Sequence, residues 1–526
     1  MKKFVVLFLV GLLVLGTSSV YAATDNILRL GGDYGADGHL DAMKSTYPRV
    51  ATPYSYVVEP LMGQRPHTFE MYPLLVKDFP TVSEDALTYT FELKEGIKFH
   101  DGQELTSADV EYTFNRFFDP ATNCLNTWMI DYILGAVEMM EGKVDYLEGF
   151  TVIDDYKFSI TLASPFSGFS HALANAYLGI VPQGAHSAAG DRWGIDTLVG
   201  TGPFVFERLD SDIKVVMAAN PNYNHNVFNG RTLRPSVDKV EFYNMDENTR
   251  YLEFEAGTLD YTGLSLTMAQ EYMANSEYAK NVKIQPTLGS QFFSLNSSIP
   301  PLDNPKVREA IAYVFDNRKI GELYFKGLWP AISNILPPGV PGHDPDLPFF
   351  DYNPEKARAL LAEAGYPDGI EIEMTTVGTG TTYQLYQIMQ QDFAAGGITA
   401  NIDQVESGVW FDKRSTGNVQ SFMADWTPSY PTADTFVYGF FHSSSADFLS
   451  TGHRNPEFDA KVMAARAIAD RDEAQKAYAE LERYLSHEAF IAIPGWNMAS
   501  VFLLQDRVSN VVDVNVDGLP FAVIEH

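Results

Sequence analysis

Cysteine is almost absent, with Cys124 alone in 526 residues. One thiol permits no internal disulfide and no cysteine-rich metal site. It lies far from the amino terminus, so no cysteine sits where a lipid anchor would be attached. Positive charge is scarce as well: 37 Lys and Arg face 68 Asp and Glu, a formal net charge of −31. A surface of that sign repels nucleic acid and anionic membranes, which argues against nucleic acid as a partner. Catalytic signatures are missing too. The chain has no Gly-x-Ser-x-Gly elbow, no Cys-x-x-Cys pair and no His-Glu-x-x-His helix. Its eleven histidines form no clustered pair, so neither a bound metal nor a haem has support and no cofactor is expected. The glycine turns Gly200, Thr201, Gly202 and Gly378, Thr379, Gly380 are not followed by the Lys-Ser/Thr of a phosphate loop. His343, Asp344 and Asp346 lie among prolines without calcium-loop spacing and read as a solvated turn.

What is present begins with a leader. Met1, Lys2 and Lys3 form a basic head, residues 4–15 are apolar apart from Gly11, and Val20 and Ala22 flank a cleavage point. This is the layout of a secretory signal peptide over residues 1–22, with an apolar run too short to span a bilayer. Cleavage after Ala22 leaves 35 basic against 68 acidic residues, a net of −33. No second apolar run is long enough to cross a membrane, so a free exported protein is expected.

With 45% hydrophobic and 13% aromatic residues the chain buries substantial cores, and its length exceeds what one core supports. Thr106 and Asp109 form a helix start ahead of Val110, Phe114 and Phe117, and Asp119 with Pro120 stops it. Asn304 with Pro305, and Asn353 with Pro354, repeat the pattern of an N-cap followed by proline. A helix is expected over about 455–485 with a break near 470–472. Leu87, Tyr89, Phe91 and Leu93 alternate with polar residues, as do Phe158, Ile160 and Leu162, which predicts half-buried strands. Helices and strands mix without strict alternation, so the class is α/β with mixed sheets in more than one domain.

Residues 73–116 carry the most specific pattern. Phe91, Glu92, Leu93 and Gly96 lead into Lys98, Phe99, His100, Asp101 and Gly102, and then into Ala108, Asp109 and Val110. This closely resembles the signature region of the extracellular solute-binding proteins of family 5, the dipeptide, oligopeptide and nickel binders. Further matches follow in order. They are Val199 to Pro203 (V-G-T-G-P), Glu255, Gly257 and Asp260, the Val307-Arg308 helix, and Tyr352, Asn353 and Pro354. His100 to Gly102 reads as a turn rather than a metal site, and Arg308 as paired with a carboxylate or capping carbonyls.

The resemblance implies a bilobal periplasmic-binding-protein fold with a hinge and an additional third domain. Lobe one would hold 23–58, 178–285 and 498–526, the extra domain 59–177, and lobe two 286–497. Crossings near 287–289 and 494–499 are the implied hinge. The implied function is capture of peptides in the periplasm for the permease subunits of an ABC importer, as a monomer without catalysis. An oligosaccharide ligand is the alternative within the family, and a secreted hydrolase the alternative outside it.

The same resemblance points to ligand contacts. In residues 417–436, Trp426 matches a family tryptophan, and Ser429, before Tyr430 and Pro431, stands where an aspartate grips a peptide's ammonium group. A serine hydroxyl is only a neutral acceptor, so Asp425 or Asp434 takes over or the ligand lacks the amine. Arg414 matches an arginine near the peptide's carboxyl end. Tyr34 and Asp37, in the loop after the first strand, and Trp128 beside Asn126 are the remaining implied contacts.

Overall fold

The computed structural model describes residues 26–34, 37–45, 48–65, 70–166, 168–228, 231–274, 277–377, 381–428, 432–468, 470–509 and 523–524. The leader, the second glycine turn at 378–380, Ser429, Tyr430 and most of the expected C-terminal tail lie outside these residues.

One eight-stranded sheet runs through the molecule. Its strands are β1 (Ile27–Gly32), β2 (Phe204–Asp210), β3 (Lys214–Ala219), β4 (Lys239–Asn244), β5 (Tyr261–Gly263), β6 (Val282–Leu295), β7 (Ser421–Trp426) and β8 (Ala492–Leu504). Their order across the sheet is β7-β6-β8-β5-β1-β4-β3-β2. β1 is parallel to both β4 and β5, so the carboxyl ends of all three, at Gly32, Asn244 and Gly263, share one edge. Among the described residues, the antiparallel pair β6 and β8 is the only hydrogen-bonded link in this sheet between the half built on β1 and the half built on β7. Their ladder breaks register between Pro286 and Ser290, the stretch where the resemblance places a crossing.

That break is satisfied by side chains. Asn497 is buried, and its amide donates to Thr287 O at 2.8 Å and Gly289 O at 2.9 Å. The Thr287 hydroxyl donates to Met498 O and accepts from the Gly289 N–H. Backbone groups that the ladder omits are thereby paired rather than orphaned.

The cores follow the chain in segments. Residues of 61–180, with Met43, bury the four-stranded sheet that includes Thr88–Glu92 and Lys157–Thr161, with Phe91, Phe158 and Phe150 ring on ring at 5.2 Å. A second core draws on 28–58, 181–242 and 502–508. Two more lie within 288–496. Trp496 is fully buried in one of these, and its indole N–H donates to Asn317 O at 2.8 Å. A parallel pair, Ile370–Thr376 with Ile398–Gln404, flanks β7, and the Ser421 hydroxyl donates to Glu373 O.

Local signals explain the helices. The Thr106 N–H donates to the Asp109 carboxylate at 3.0 Å, which opens the helix Ser107–Phe118, and Asp119 closes it in extended conformation. Asn304 caps Pro305–Ala312 and Asn353 caps Pro354–Glu363. The run expected over 455–485 is two helices, Pro456–Arg466 and Arg471–Arg483, each with its own cap at Asn455 and Asp470.

The two signature motifs meet. The His100 backbone N–H donates to Gly200 O at 2.9 Å and its ring Nε2 lies 3.0 Å from Gly202 O. Beneath them Glu59 is buried and bonded by Thr201 Oγ1 (2.8 Å), Tyr223 Oη (2.6 Å) and His225 Nε2 (2.7 Å). Burial opposes ionisation of Glu59, yet the His225 charge and these hydrogen bonds outweigh it and hold the carboxyl below its usual range. Arg308 caps carbonyls, donating to Ala489 O and Leu302 O at 2.8 and 2.7 Å.

Candidate functional site

In open α/β sheets, ligands settle outside the carboxyl ends of strands. Here the ends of β1, β4 and β5 form one wall and the end of β7 the other. The broken ladder of β6 and β8 runs between them. At its centre Gly289 is tightly enclosed: a Cβ there would fall 2.7 Å from Thr427 Oγ1 and 3.0 Å from Met498 Sδ. A cavity of about 430 Å³ opens beside this crossing, lined by Glu247, Arg250, Tyr261, Ser265, Trp329 and Ser500 among others. Trp329 reaches it from the 288–496 side and donates its indole N–H to Ala499 O at 3.1 Å.

The expected ligand residues fall into separate places. Asp425 is open to solvent at the crevice end of β7, where the Gln291 amide donates to its carboxylate. Surrounding protein desolvates it and pushes its carboxyl above the usual range, and the Gln291 bond offsets only part of this. No cation pairs with Asp425 among the described residues. Trp426, next along the strand, turns to the opposite face. Its ring packs edge-on against Phe440 at 5.3 Å, and its indole N–H is buried without a partner.

Asp434 opens the helix Asp434–Phe441 and is buried, bonded by the Tyr478 hydroxyl at 2.8 Å and paired with Arg466 at 3.2 Å. Burial still pushes its carboxyl up, against the Arg466 charge and the Tyr478 bond. Arg466 also lies over the Tyr438 ring (3.9 Å) and the Phe166 ring (4.8 Å), so it touches the core of residues 61–180. Arg414 ends the helix Ser407–Ser415 near the start of β7, about 17 Å along that strand from Trp426. Its guanidinium lies over Phe411 and Phe448, its Nε is buried without a partner, and burial lowers its pKa.

A third group gathers around the loop after β1. Tyr34 is buried with its ring edge on Phe242 at 5.1 Å. Asp37 accepts from Arg49 (2.6 Å) and Ser45 (3.2 Å). Asn126 donates to Ala42 O and Ser45 O, which brings its exposed neighbour Trp128 (52% accessible) to the same region. Sequence reasoning did not find Arg250, Glu247, Gln291 or Trp329. None sits in a local motif, and only strand pairing brings them to the crevice. His343, Asp344 and Asp346 are engaged locally, with Asp344 paired to Arg483, and no metal-binding group of His, Cys, Asp or Glu occurs among the described residues.

Two half-sheets joined by a pair of long strands, with a polar crevice at the crossing, define a bilobal ligand-binding protein. The chain belongs to the bacterial extracellular solute-binding proteins, family 5, whose middle region matches residues 70–448. It is 28% identical to heme-binding protein A of Haemophilus influenzae over 425 residues, covering 78% of this chain and 76% of the relative. It is also 28% identical to the glutathione-binding protein GsiB of Salmonella typhi over 421 residues, covering 78% and 77%. The unliganded open form of the periplasmic murein tripeptide binding protein MppA shares the fold, with a TM-score of 0.84, 21% identity and coverage of 96% and 98%. The matched family and these relatives are binding proteins rather than enzymes. No described helix is long and apolar enough to cross a membrane.

Proposed function

We propose that this chain, exported to the periplasm with residues 1–22 removed, captures short peptides for the permease subunits of an ABC importer. Its two lobes, 23–58 with 178–285 and 498–526, and 286–497, close about the crossing at 286–290 and 497–499, and residues 59–177 extend the first. The observation that carries the peptide reading is Asp425: a solvent-open carboxylate at the crevice that pairs with no cation among the described residues and whose charged form its surroundings disfavour. An ammonium group supplies the missing charge and favours the ionised form. Asp434 suits that role less well, because Arg466 and Tyr478 already occupy it. Named relatives that bind a murein tripeptide and glutathione fit a small polar guest.

The test is recovery of ligand from purified protein by denaturation and mass spectrometry. Intact peptide in near-stoichiometric amount is expected. Recovered oligosaccharide would replace the ligand class, and steady product formation would replace binding with hydrolysis.

A further inference from the structure

Arg250 is the cation of the opposite wall. The helix Glu247–Glu255 starts just after β4, capped by Asp246, whose carboxylate accepts the Asn248 and Thr249 N–H groups at 3.1 Å. Its first turn therefore stands at the carboxyl edge of the sheet. From there the Arg250 stem crosses β1: a Cβ on Gly31 would lie 3.4 Å from Arg250 Cγ. The side chain continues into the 430 Å³ cavity.

That guanidinium has no ion pair among the described residues, and its Nε is buried without a hydrogen bond. In a chain where acidic residues outnumber basic ones 68 to 37, such a vacancy needs a reason. A neighbouring acid does not fill it. Glu247 lines the same cavity, but it accepts the Tyr251 hydroxyl and bonds Ser265, and these contacts, ahead of the Arg250 charge, lower its pKa. A guanidinium left open toward a polar cavity matches the fork of a carboxylate.

We propose that Arg250 anchors a carboxylate of the guest, an assignment that rests on the reading of this chain as a binding protein. With Asp425 across the crossing, the crevice then selects guests charged at both ends. Trp329 comes from the far lobe, so a carboxylate held at Arg250 sits where the two lobes meet.

The mature chain and its Arg250→Ala, Arg250→Gln and Arg250→Lys variants are titrated calorimetrically with trialanine, trialanine amide, and the amide of Ala-Glu-Ala. Circular dichroism checks the fold, and any variant that fails it is replaced by one that passes. The assignment expects Arg250→Ala and Arg250→Gln to weaken trialanine at least ten-fold, to leave trialanine amide unchanged, and Arg250→Lys to recover part of the loss. A loss on the Ala-Glu-Ala amide instead assigns the carboxylate to a guest side chain. Equal losses on acid and amide, or none, overturn the assignment. If the wild type binds no peptide, the peptide reading fails by itself. Propionate-induced thermal stabilisation then decides: its loss in Arg250→Gln upholds the anchor, and its persistence overturns it.

Discussion

At the residue scale, one solvent-open and one buried carboxyl make opposite demands. Asp425 waits for a cation, so Asp425→Asn is expected to weaken peptides with a free amine ten- to a hundred-fold and to leave N-acetylated peptides unaffected. Because desolvation holds its pKa above the usual range, affinity for the amine falls as pH drops through that raised value. Calorimetry at several pH values checks both, and equal affinity of the wild type and Asp425→Asn for peptides with a free amine would remove Asp425 from the site. Glu482, by contrast, is buried, accepts the Ile335 N–H at 2.9 Å, and is pushed by burial up to about 7. A folded pKa above the unfolded one means its stabilising contribution is complete at low pH and is lost as pH rises through about 7. Glu482→Gln keeps the acceptor and removes the charge. It should stabilise the protein at pH 8 by on the order of 3 kcal/mol and change nothing at pH 4, as read by urea unfolding. No sequence signal marks this residue, which lies inside the helical run expected over about 455–485. Asp425 and Trp426 carry a similar lesson. A motif offers neighbours together, whereas the two-residue period of a strand sends them to opposite faces.

At the element scale, the caps and turns were legible because their signals are local. Asn304, Asn353 and the Thr106–Asp109 pair each act within three or four residues, and the structure uses each as expected. The V-G-T-G-P segment was legible only as a turn. Its glycines are there for contact: a Cβ on Gly200 would lie 2.1 Å from Val57 O, and one on Gly202 would lie 2.5 Å from Tyr56 O. Backbone meets backbone at that joint, so Gly202→Ala should cost about 1–3 kcal/mol in thermal or urea unfolding. A variant as stable as the wild type would mean the joint yields. What local patterns cannot reveal is which strands become neighbours. Gln291 meets Asp425 across β6 and β7 over 134 residues of chain, and Arg250 reaches the crevice only because β4 lies beside β1.

At the scale of the whole molecule, the α/β class and the two-lobed plan followed from ordered motifs spread along the chain. The placing of individual ligand contacts did not, because Arg414, Asp434 and Asp37 are held by different neighbours in different regions. Among the described residues only β6 and β8 join the half-sheets, and side chains of Thr287 and Asn497 sustain their broken register. Such a joint concentrates any relative motion into a few residues. A guest that touches both walls favours the arrangement in which both contacts are made, by as much as its affinity differs between the two arrangements. Small-angle scattering of the mature protein, with and without its recovered ligand, tests this most directly. A smaller radius of gyration on binding is the predicted result, and identical scattering curves at saturating ligand would contradict the account.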